Sequence, residues 1–379
     1  MELELTSDQE FFAETTTKFL EDKAPVVELR ARRDDPVGFD RDYWRQGAEL
    51  GWTSLVVSED DGGGSISGRG VADLALVGFA FGRHAAPGPL VPNNVVAGAL
   101  SRSGTAEQKA AWLPGILAGE VLASWCLAEP RPHDRLGGVA LQATPEGDGF
   151  VLSGTKMPVE SADQSQLLLV TARAPEGLTQ LLVPGDAPGL TMKPMNGVDL
   201  TRRFSSVVFD GVKVPASAVL GQPGTADADV ERQLDLALVI ELAEMVGAMD
   251  KALEITIEWS FNRYSFGRPL ASYQELKHRF ADMKMWLEAS HALADVAARS
   301  VQDGADDADE MVSAAMAYVG AQGPELLQDC IQIHGGIGVT FDHDLHLYLR
   351  RVVLGSHLHG TVADHRERLT AILQKRENS

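Results

Sequence analysis

One stretch, Asn262–Met283, combines a cation with a break between two helical patterns. Arg263 is followed by Phe266-Gly267 and then by Pro269, which lacks the N–H that a helix interior needs. Arg263 is therefore expected at the end of one long helix, beside a sharp turn into another. A guanidinium in that place can form a bidentate contact with a phosphate or a carboxylate. The alternative is an arginine that only meets the C-terminal dipole of its own helix.

A second candidate stretch is Ile331–Thr340, which reads IQIHGGIGVT. Two adjacent glycines and a third two residues later let the backbone approach a ligand and turn its N–H groups toward it. Taken alone, a Gly-Gly pair between helices is more commonly a helix C-cap. A ligand-binding role for this stretch is better supported by its position, because its distance from Arg263 in the sequence matches the distance between two known sequence elements.

Together the two stretches resemble the R-x-[QA]-F-G-x-P…Q and Q-x-x-G-G-x-G elements of the acyl-CoA dehydrogenase family, and the resemblance extends over almost the whole chain. It implies contacts with the pyrophosphate and the ADP half of FAD. The matching positions are Arg263, Phe266, Gln274, Gln332, Gly335 and Gly336, with Thr361 near the C-terminus as a further cofactor position. Ser265 departs from the pattern, because the family often has glutamine there. Family members donate much of this set to the flavin of a neighbouring subunit.

The other half of the family's site has changed. The family motif T-E-P-x-x-G-S-D, which holds the flavin ring and the acyl-CoA, corresponds here to residues 128–134, AEPRPHD, so Ala128 replaces a hydroxyl donor. In the next family element, K-x-W-I-[TS], Pro158 replaces the tryptophan that packs on the ring, and Glu160 replaces a small hydroxyl residue. A carboxylate beside an electron-rich reduced flavin is electrostatically unfavourable.

The family's catalytic base is absent as well. The resemblance implies a glutamate in a Y-E-G-T segment, which removes the α-proton of the acyl thioester while hydride leaves the β-carbon for flavin N5. His359 takes that position here, and a neutral imidazole can accept a proton at pH 7, although a solvent-facing or core histidine is commoner. Some family members place the glutamate on the helix before Arg263, near Ala237 here. Glu241 lies one turn further along, where a bundle-edge charge is the commoner explanation.

Composition limits the classes of partner. The 379 residues carry a formal net charge of −21, which opposes nucleic-acid and anionic-membrane binding but allows a small anion held by local arginines. Cys126 and Cys330 lie in apolar sequence and are expected to be buried thiols, not a disulfide or a metal site. The sequence shows no signal-peptide pattern and no apolar run of about 18 residues, so a cytoplasmic protein is expected.

Hydrophobic periodicity alone predicts a mixed protein with an all-β middle, and the resemblance implies the α+β multidomain fold that positions these residues. Residues 1–120 read as a helical domain. Residues 121–225 read as short strands separated by turn residues, typical of an antiparallel β barrel or sandwich. Residues 226–379 read as a four-helix bundle, with helices near Asp227–Asn262, Ser272–Asp303, Glu310–Ile333 and His343–Leu373. This order of helices, β structure and helices is the architecture that the resemblance implies.

Positions that a family subunit lends to its neighbour are kept, whereas positions that build its own ring and substrate pocket are changed. The chain therefore resembles the non-catalytic subunit of actinobacterial heterotetramers (α2β2) that act on acyl-CoA thioesters in lipid or steroid catabolism. The resemblance implies FAD shared at an interface, a homologous catalytic partner and an electron-transfer flavoprotein as electron acceptor. Two alternatives stay open: a self-sufficient dehydrogenase with His359 or Glu241 as its base, and a flavin-free scaffold homologue.

Overall fold

The computed structural model describes residues 5–32, 34–130 and 138–377. Part of the changed β-domain motif, positions 131–134, lies outside these residues. The described N-terminal region is helical, and capping boxes fix where two of its helices begin: Thr6 exchanges hydrogen bonds with Gln9, and Thr105 with Gln108. Its helices are α1 (Ser7–Lys23), α2 (Val26–Ala31), α3 (Arg41–Glu49), α4 (Gly70–His84), α5 (Leu90–Ser103) and α6 (Ala106–Leu117).

The middle region is a sheet whose described strands follow the order β6-β7-β3-β2-β4-β5-β8, with β1 beside β4. They are β1 (Ala123–Cys126), β2 (Gln142–Glu146), β3 (Gly149–Glu160), β4 (Leu167–Ala174), β5 (Gly177–Pro184), β6 (Leu190–Met195), β7 (Phe204–Pro215) and β8 (Val219–Leu220). The prediction of a purely antiparallel sheet needs one correction, because β4 pairs in parallel with both β1 and β2. The β2–β3 hairpin lies within the connection from β1 to β4, and such a long crossover permits parallel pairing.

The C-terminal region is a helical bundle of α7 (Asp227–Asn262), α8 (Gln274–Asp303), α9 (Ala308–His334), α10 (Leu345–Leu358) and α11 (Val362–Glu377). The predicted architecture of helices, β structure and helices is confirmed. The predicted fourth helix is wrong in one respect, because it breaks between α10 and α11. Gly360 has φ 123°, which a right-handed helix does not accommodate. The Thr361 hydroxyl then accepts a hydrogen bond from the backbone N–H of Asp364 and starts α11.

Helix α4 crosses α7 so closely that their backbones touch. A Cβ added at Gly82 would lie 1.9 Å from the carbonyl oxygen of Glu244, and one added at Gly247 would lie 2.1 Å from that of Phe79. Only glycine permits this approach. The crossing joins the N-terminal helices to the middle of α7, the segment that carries Glu241 and Glu244.

Candidate functional site: an open cation and a closed charge network

Arg263 ends helix α7 and presents its guanidinium to solvent. Its backbone N–H donates to the Trp259 carbonyl at 2.8 Å, and its guanidinium carbon lies 5.9 Å from the centroid of the Trp259 ring. Across the described part of the chain, no carboxylate pairs with this exposed side chain. In a protein with a net charge of −21, a cation without a counterion is available to an anionic ligand.

A two-residue hairpin follows Arg263, formed by Tyr264–Ser265 and Arg268–Pro269. Phe266 lies in its turn with φ 51° and is 97% exposed. Other exposed apolar side chains lie on the end of α7 and on the segment after α9, and we call this set the apolar rim: Phe261, Tyr264, Phe266, Ile337, Val339 and Phe341. Clusters of exposed apolar side chains are typical of interaction sites.

The glycine pair lies at the end of α9, where Gly335 is the C-cap with φ 65° and a short 3₁₀ helix, Gly335–Val339, follows. A Cβ added at Gly335 or at Gly336 meets no described atom within 4 Å. Gly336 also lacks a positive φ. Neither packing nor backbone conformation within this chain therefore requires glycine at Gly336, whereas close approach of a ligand or another subunit would.

Of the remaining predicted cofactor residues, two have exposed side chains and one is hydrogen-bonded within its own segment. Gln274 is the first residue of α8 and Gln332 lies in the last turn of α9, and both side chains are exposed. The Thr361 hydroxyl instead donates to the Asp364 carboxylate at 2.7 Å, as part of the cap of α11. Thr361 is thus engaged in a local structural contact.

The two changed motifs of the ring side lie side by side in the β region. The backbone N–H of Met157 donates to the Ala128 carbonyl at 2.8 Å, which brings Ala128 next to Pro158. The buried Lys156 ammonium bonds the Glu129 carboxylate at 2.7 Å. Glu129 also accepts hydrogen bonds from the backbone N–H groups of Ala140 and Leu141. Glu129 therefore links Lys156 on β3 to the backbone just before β2.

Glu160, at the end of β3, forms a bidentate pair with Arg202, because Nε and Nη2 of Arg202 donate to its two carboxylate oxygens, each at 2.7 Å. The same guanidinium donates from Nη1 to Glu241 on α7 at 3.0 Å. All three side chains are buried. Arg202 was not among the predicted site residues. An arginine pair in a connection between strands, Arg202-Arg203, nevertheless indicates a charged contact. The Glu160 carboxylate therefore faces Arg202 and not an open cavity.

A second buried guanidinium extends the network through α10. Arg351 donates from Nε to Asp199 at 2.6 Å and from Nη1 to Glu244 at 2.9 Å. Its Nη2 donates to the Ala86 carbonyl, just after α4, at 2.9 Å. We call these six charged side chains the buried charge network: Glu160, Asp199, Arg202, Glu241, Glu244 and Arg351. It ties the β region to α7, α10 and the loop after α4.

Four carboxyls share two guanidiniums in this network, so full ionisation would leave an excess of negative charge in the interior. Burial raises the pKa of Glu244 to about 7, against the attraction of Arg351 and Arg202. Burial acts on Glu241 in the same direction, but attraction and hydrogen bonding from Arg202 override it and lower the pKa of Glu241. A carboxyl that keeps its proton near neutral pH limits the unpaired charge.

This assignment predicts a pH dependence of stability. The pKa of Glu244 is about 7 in the folded chain against 4.5 for a free glutamate, so between these values only the folded state holds the proton. The contribution of Glu244 to stability is therefore complete below about pH 4.5 and is lost as pH rises through 7. Relative to Glu244→Gln, wild type should lose about 3 kcal/mol of unfolding free energy over that interval. Urea unfolding at several pH values measures this difference, and parallel profiles for the two proteins would contradict it.

The two candidate bases, His359 and Glu241, are brought into one region. His359 lies at the break between α10 and α11, with its ring 5.5 Å from the ring of Trp125. Burial raises the pKa of Glu241, but Arg202 and, to a smaller extent, a charge on His359 lower it. Glu241 is therefore a carboxylate fixed by an arginine, which makes it a weak proton acceptor.

The two constellations differ in their fit to FAD. At the ends of α7 and α9, an unpaired cation and open glycine backbone fit an anionic pyrophosphate. On the ring side, Glu160 is closed onto Arg202 and Ala128 offers no side-chain donor, so these residues do not fit a flavin ring. Among the described residues, no helix has the length and apolarity to cross a membrane, and no three acidic, cysteine or histidine side chains form a metal site.

Comparison with known proteins places these observations in a family. Residues 6–120 match the model of the acyl-CoA dehydrogenase N-terminal domain, and residues 230–373 match that of the acyl-CoA dehydrogenase C-terminal domain. Isobutyryl-CoA dehydrogenase of Dictyostelium discoideum is 28% identical, with 95% of this chain and 87% of that protein covered. Acyl-CoA dehydrogenase IpdE2 of Mycolicibacterium smegmatis is 28% identical, with 97% and 99% covered.

A chain in the solved structure of the Tcur3481-Tcur3483 steroid ACAD G363A variant is 30% identical to this one. The TM-score is 0.88, and the match covers 98% of this chain and 99% of that chain. The likeness therefore includes the helical regions, the sheet and the connections between them.

Proposed function

The chain belongs to the acyl-CoA dehydrogenase family of FAD-dependent oxidoreductases, and from this premise we propose that it is a non-catalytic subunit. In this proposal it contributes Arg263, Phe266, Gln274, Gln332, Gly335 and Gly336 to the ADP side of an FAD. The flavin ring of that FAD is held by a homologous catalytic subunit in a cytoplasmic heterotetramer.

The observation that carries the proposal is the separation of the two constellations along one helix. Glu241 lies within helix α7, and Arg263 is the C-cap of the same helix. At a rise of about 1.5 Å per residue, they are about 33 Å apart. The pyrophosphate and the ring of one FAD are joined only by a ribityl chain, which is far shorter. An FAD at Arg263 therefore cannot place its ring beside Glu160 and Glu241 of the same chain.

The surface around Arg263 supports a neighbouring subunit. The apolar rim leaves Phe266 almost entirely in solvent, and Val339 is 75% exposed. Burying such side chains against a partner would stabilise the assembly at about 25 cal/mol per Å² of apolar surface. A cation, open glycines and exposed apolar groups together suit a nucleotide held between two chains.

The ring side supports the assignment of catalysis to the partner. When bound, FAD supplies the hydride acceptor of this reaction class, and a general base works best with a pKa near the operating pH. The lowered pKa of Glu241 does not meet that requirement. Within this chain, Arg263 binds phosphate, the glycine backbone admits the nucleotide, and the buried charge network fills the interior.

The related structure is named for two components, Tcur3481 and Tcur3483, and is described as a steroid ACAD. By analogy we assign this chain a CoA thioester of a steroid side chain as the substrate class of its complex. We assign an electron-transfer flavoprotein as the electron acceptor, following the family. We accordingly propose a role in lipid or steroid catabolism.

Purification of the tagged chain from its own host tests the proposal. The chain made alone should be colourless, whereas the native complex should contain a homologous subunit and one FAD for each pair of unlike subunits. A yellow homo-oligomer that reduces its flavin with an acyl-CoA would instead establish a self-sufficient enzyme. Absence of flavin from every complex would identify a scaffold homologue.

Replacing Arg263 with alanine should weaken FAD retention in the complex. The variant loses a charge-assisted hydrogen bond of about 1.5–3 kcal/mol, which corresponds to roughly a 10- to 150-fold higher dissociation constant. Flavin absorbance after dialysis against graded FAD concentrations measures the change. Arg268→Ala is the matched control, because that guanidinium lies 3.8 Å from the Tyr273 ring. Equal retention by both variants would contradict the role of Arg263.

Replacing His359 with alanine should leave turnover of the complex nearly unchanged, because the base is assigned to the partner. Acyl-CoA-dependent reduction of an artificial electron acceptor measures this. A general base contributes roughly 100-fold or more, so a loss of that size would return catalysis to this chain.

A further inference from the structure

Three aromatic rings lie in contact behind the two segments assigned to the nucleotide. The rings of Trp259 and His334 are stacked, with centroids 4.9 Å apart and planes at 22°. His343 meets His334 edge-on at 4.5 Å. Arg263 lies over Trp259. We call Trp259, His334 and His343 the ring stack.

The ring stack joins the ends of two helices. Trp259 lies one turn before Arg263, at the C-terminus of α7, and His334 is the last residue of α9, directly before Gly335. Each helix end carries the partial negative charge of its dipole, which repels phosphate. Anion binding at this place therefore depends on how accurately the guanidinium and the glycine N–H groups are held relative to each other.

The contacts of His334 indicate that its ring faces matter more than its hydrogen bonds. Nδ1 lies 2.8 Å from the Cys330 carbonyl of the same helix. Nε2 is buried and has no hydrogen-bond partner within the described residues, and the same holds for Nε1 of Trp259. Leaving such atoms unpaired costs about 1–3 kcal/mol each, so the stacking geometry is retained at the expense of hydrogen bonding.

We propose that Trp259 and His334 are positioning residues for the nucleotide subsite. Trp259 fixes Arg263 from beneath, and His334 fixes the Gly335-Gly336 backbone, so that the two segments form one binding surface. The inference rests on the proposed function only in that the nucleotide is FAD. The flavin content per subunit pair tests that function separately.

The experiment compares FAD retention by complexes carrying Trp259→Phe, Trp259→Leu, Arg263→Ala and the double variant Trp259→Leu/Arg263→Ala. The leucine variant removes the aromatic face and should raise the FAD dissociation constant about tenfold, whereas the phenylalanine variant keeps a face and should stay within about threefold of wild type. If Trp259 acts through Arg263, the double variant should be no weaker than Arg263→Ala.

Additive losses in the double variant, or equal losses from phenylalanine and leucine, would overturn the positioning role. His334→Phe, which keeps a ring without nitrogens, should retain FAD better than His334→Leu, and the reverse order would also overturn it. Urea unfolding of each isolated variant separates these effects from a loss of folding. If Arg263→Ala itself retains FAD like wild type, the assigned nucleotide site fails together with this inference.

Discussion

Replacement of Arg202 by methionine is expected to lower the free energy of unfolding of the chain by about 3–5 kcal/mol. Methionine removes the cation that binds Glu160 through two bonds of 2.7 Å and Glu241 through one of 3.0 Å. Both carboxylates are buried, so they would keep their desolvation penalty and lose their counterion. Urea unfolding of the isolated chain at neutral pH measures the loss.

Two further variants distinguish charge from packing. Arg45→Met removes an exposed arginine that pairs with Asp42, and the loss should stay below about 1 kcal/mol. Adding Glu160→Gln and Glu241→Gln to Arg202→Met should restore much of the stability, because neutral amides need no counterion. A triple variant as unstable as the single one would show that volume and not charge sets the effect.

Replacement of Gly82 by alanine is the second large effect that we expect, a loss of about 3 kcal/mol in unfolding free energy. The new Cβ would lie 1.9 Å from the carbonyl oxygen of Glu244, which belongs to the backbone of α7 and cannot rotate away. Helices α4 and α7 would have to separate. That separation would also strain the contact of Arg351 with Ala86 and with Glu244.

Gly98→Ala is the matched control, because Gly98 also lies inside a helix, α5. A Cβ at this position would meet Val56 at an ordinary distance of 3.5 Å. Helix propensity favours alanine over glycine by about 1 kcal/mol, so Gly98→Ala should be neutral or stabilising. Chemical denaturation of both variants tests the contrast, and equal stabilities would refute the backbone contact.

The sequence predicted best what depends on local pattern. The proline and glycine after Arg263 fixed the end of α7 at Asn262, where the structure has it. The changes at Ala128, Pro158 and Glu160 predict a defective ring side, because each residue type departs from the contact that the family motif makes, and this stays a prediction. Arg263, Phe266 and Gly336 are exposed, and their contact with the cofactor of another chain stays a prediction.

The buried charge network was beyond sequence reasoning because its bonds join residues far apart in the chain. Arg202 and Glu160 are 42 positions apart, and Arg351 and Asp199 are 152 apart. A glutamate on α7 reads as a bundle-edge charge until the residue opposite it is known. The direction of β1 and the break at Gly360 were missed for a related reason, since a crossover and a single positive φ leave little mark on hydrophobic periodicity.

The closed network also bears on the order in which the complex is made. A protein that buries a prosthetic group has an unfilled polar cavity until that group binds. Here Arg202 pairs with Glu160 and Arg351 pairs with Asp199, so the buried charges have counterions within the chain itself. Under the proposed function, the polypeptide reaches its native state without flavin, and the coenzyme binds last, between this chain and its partner.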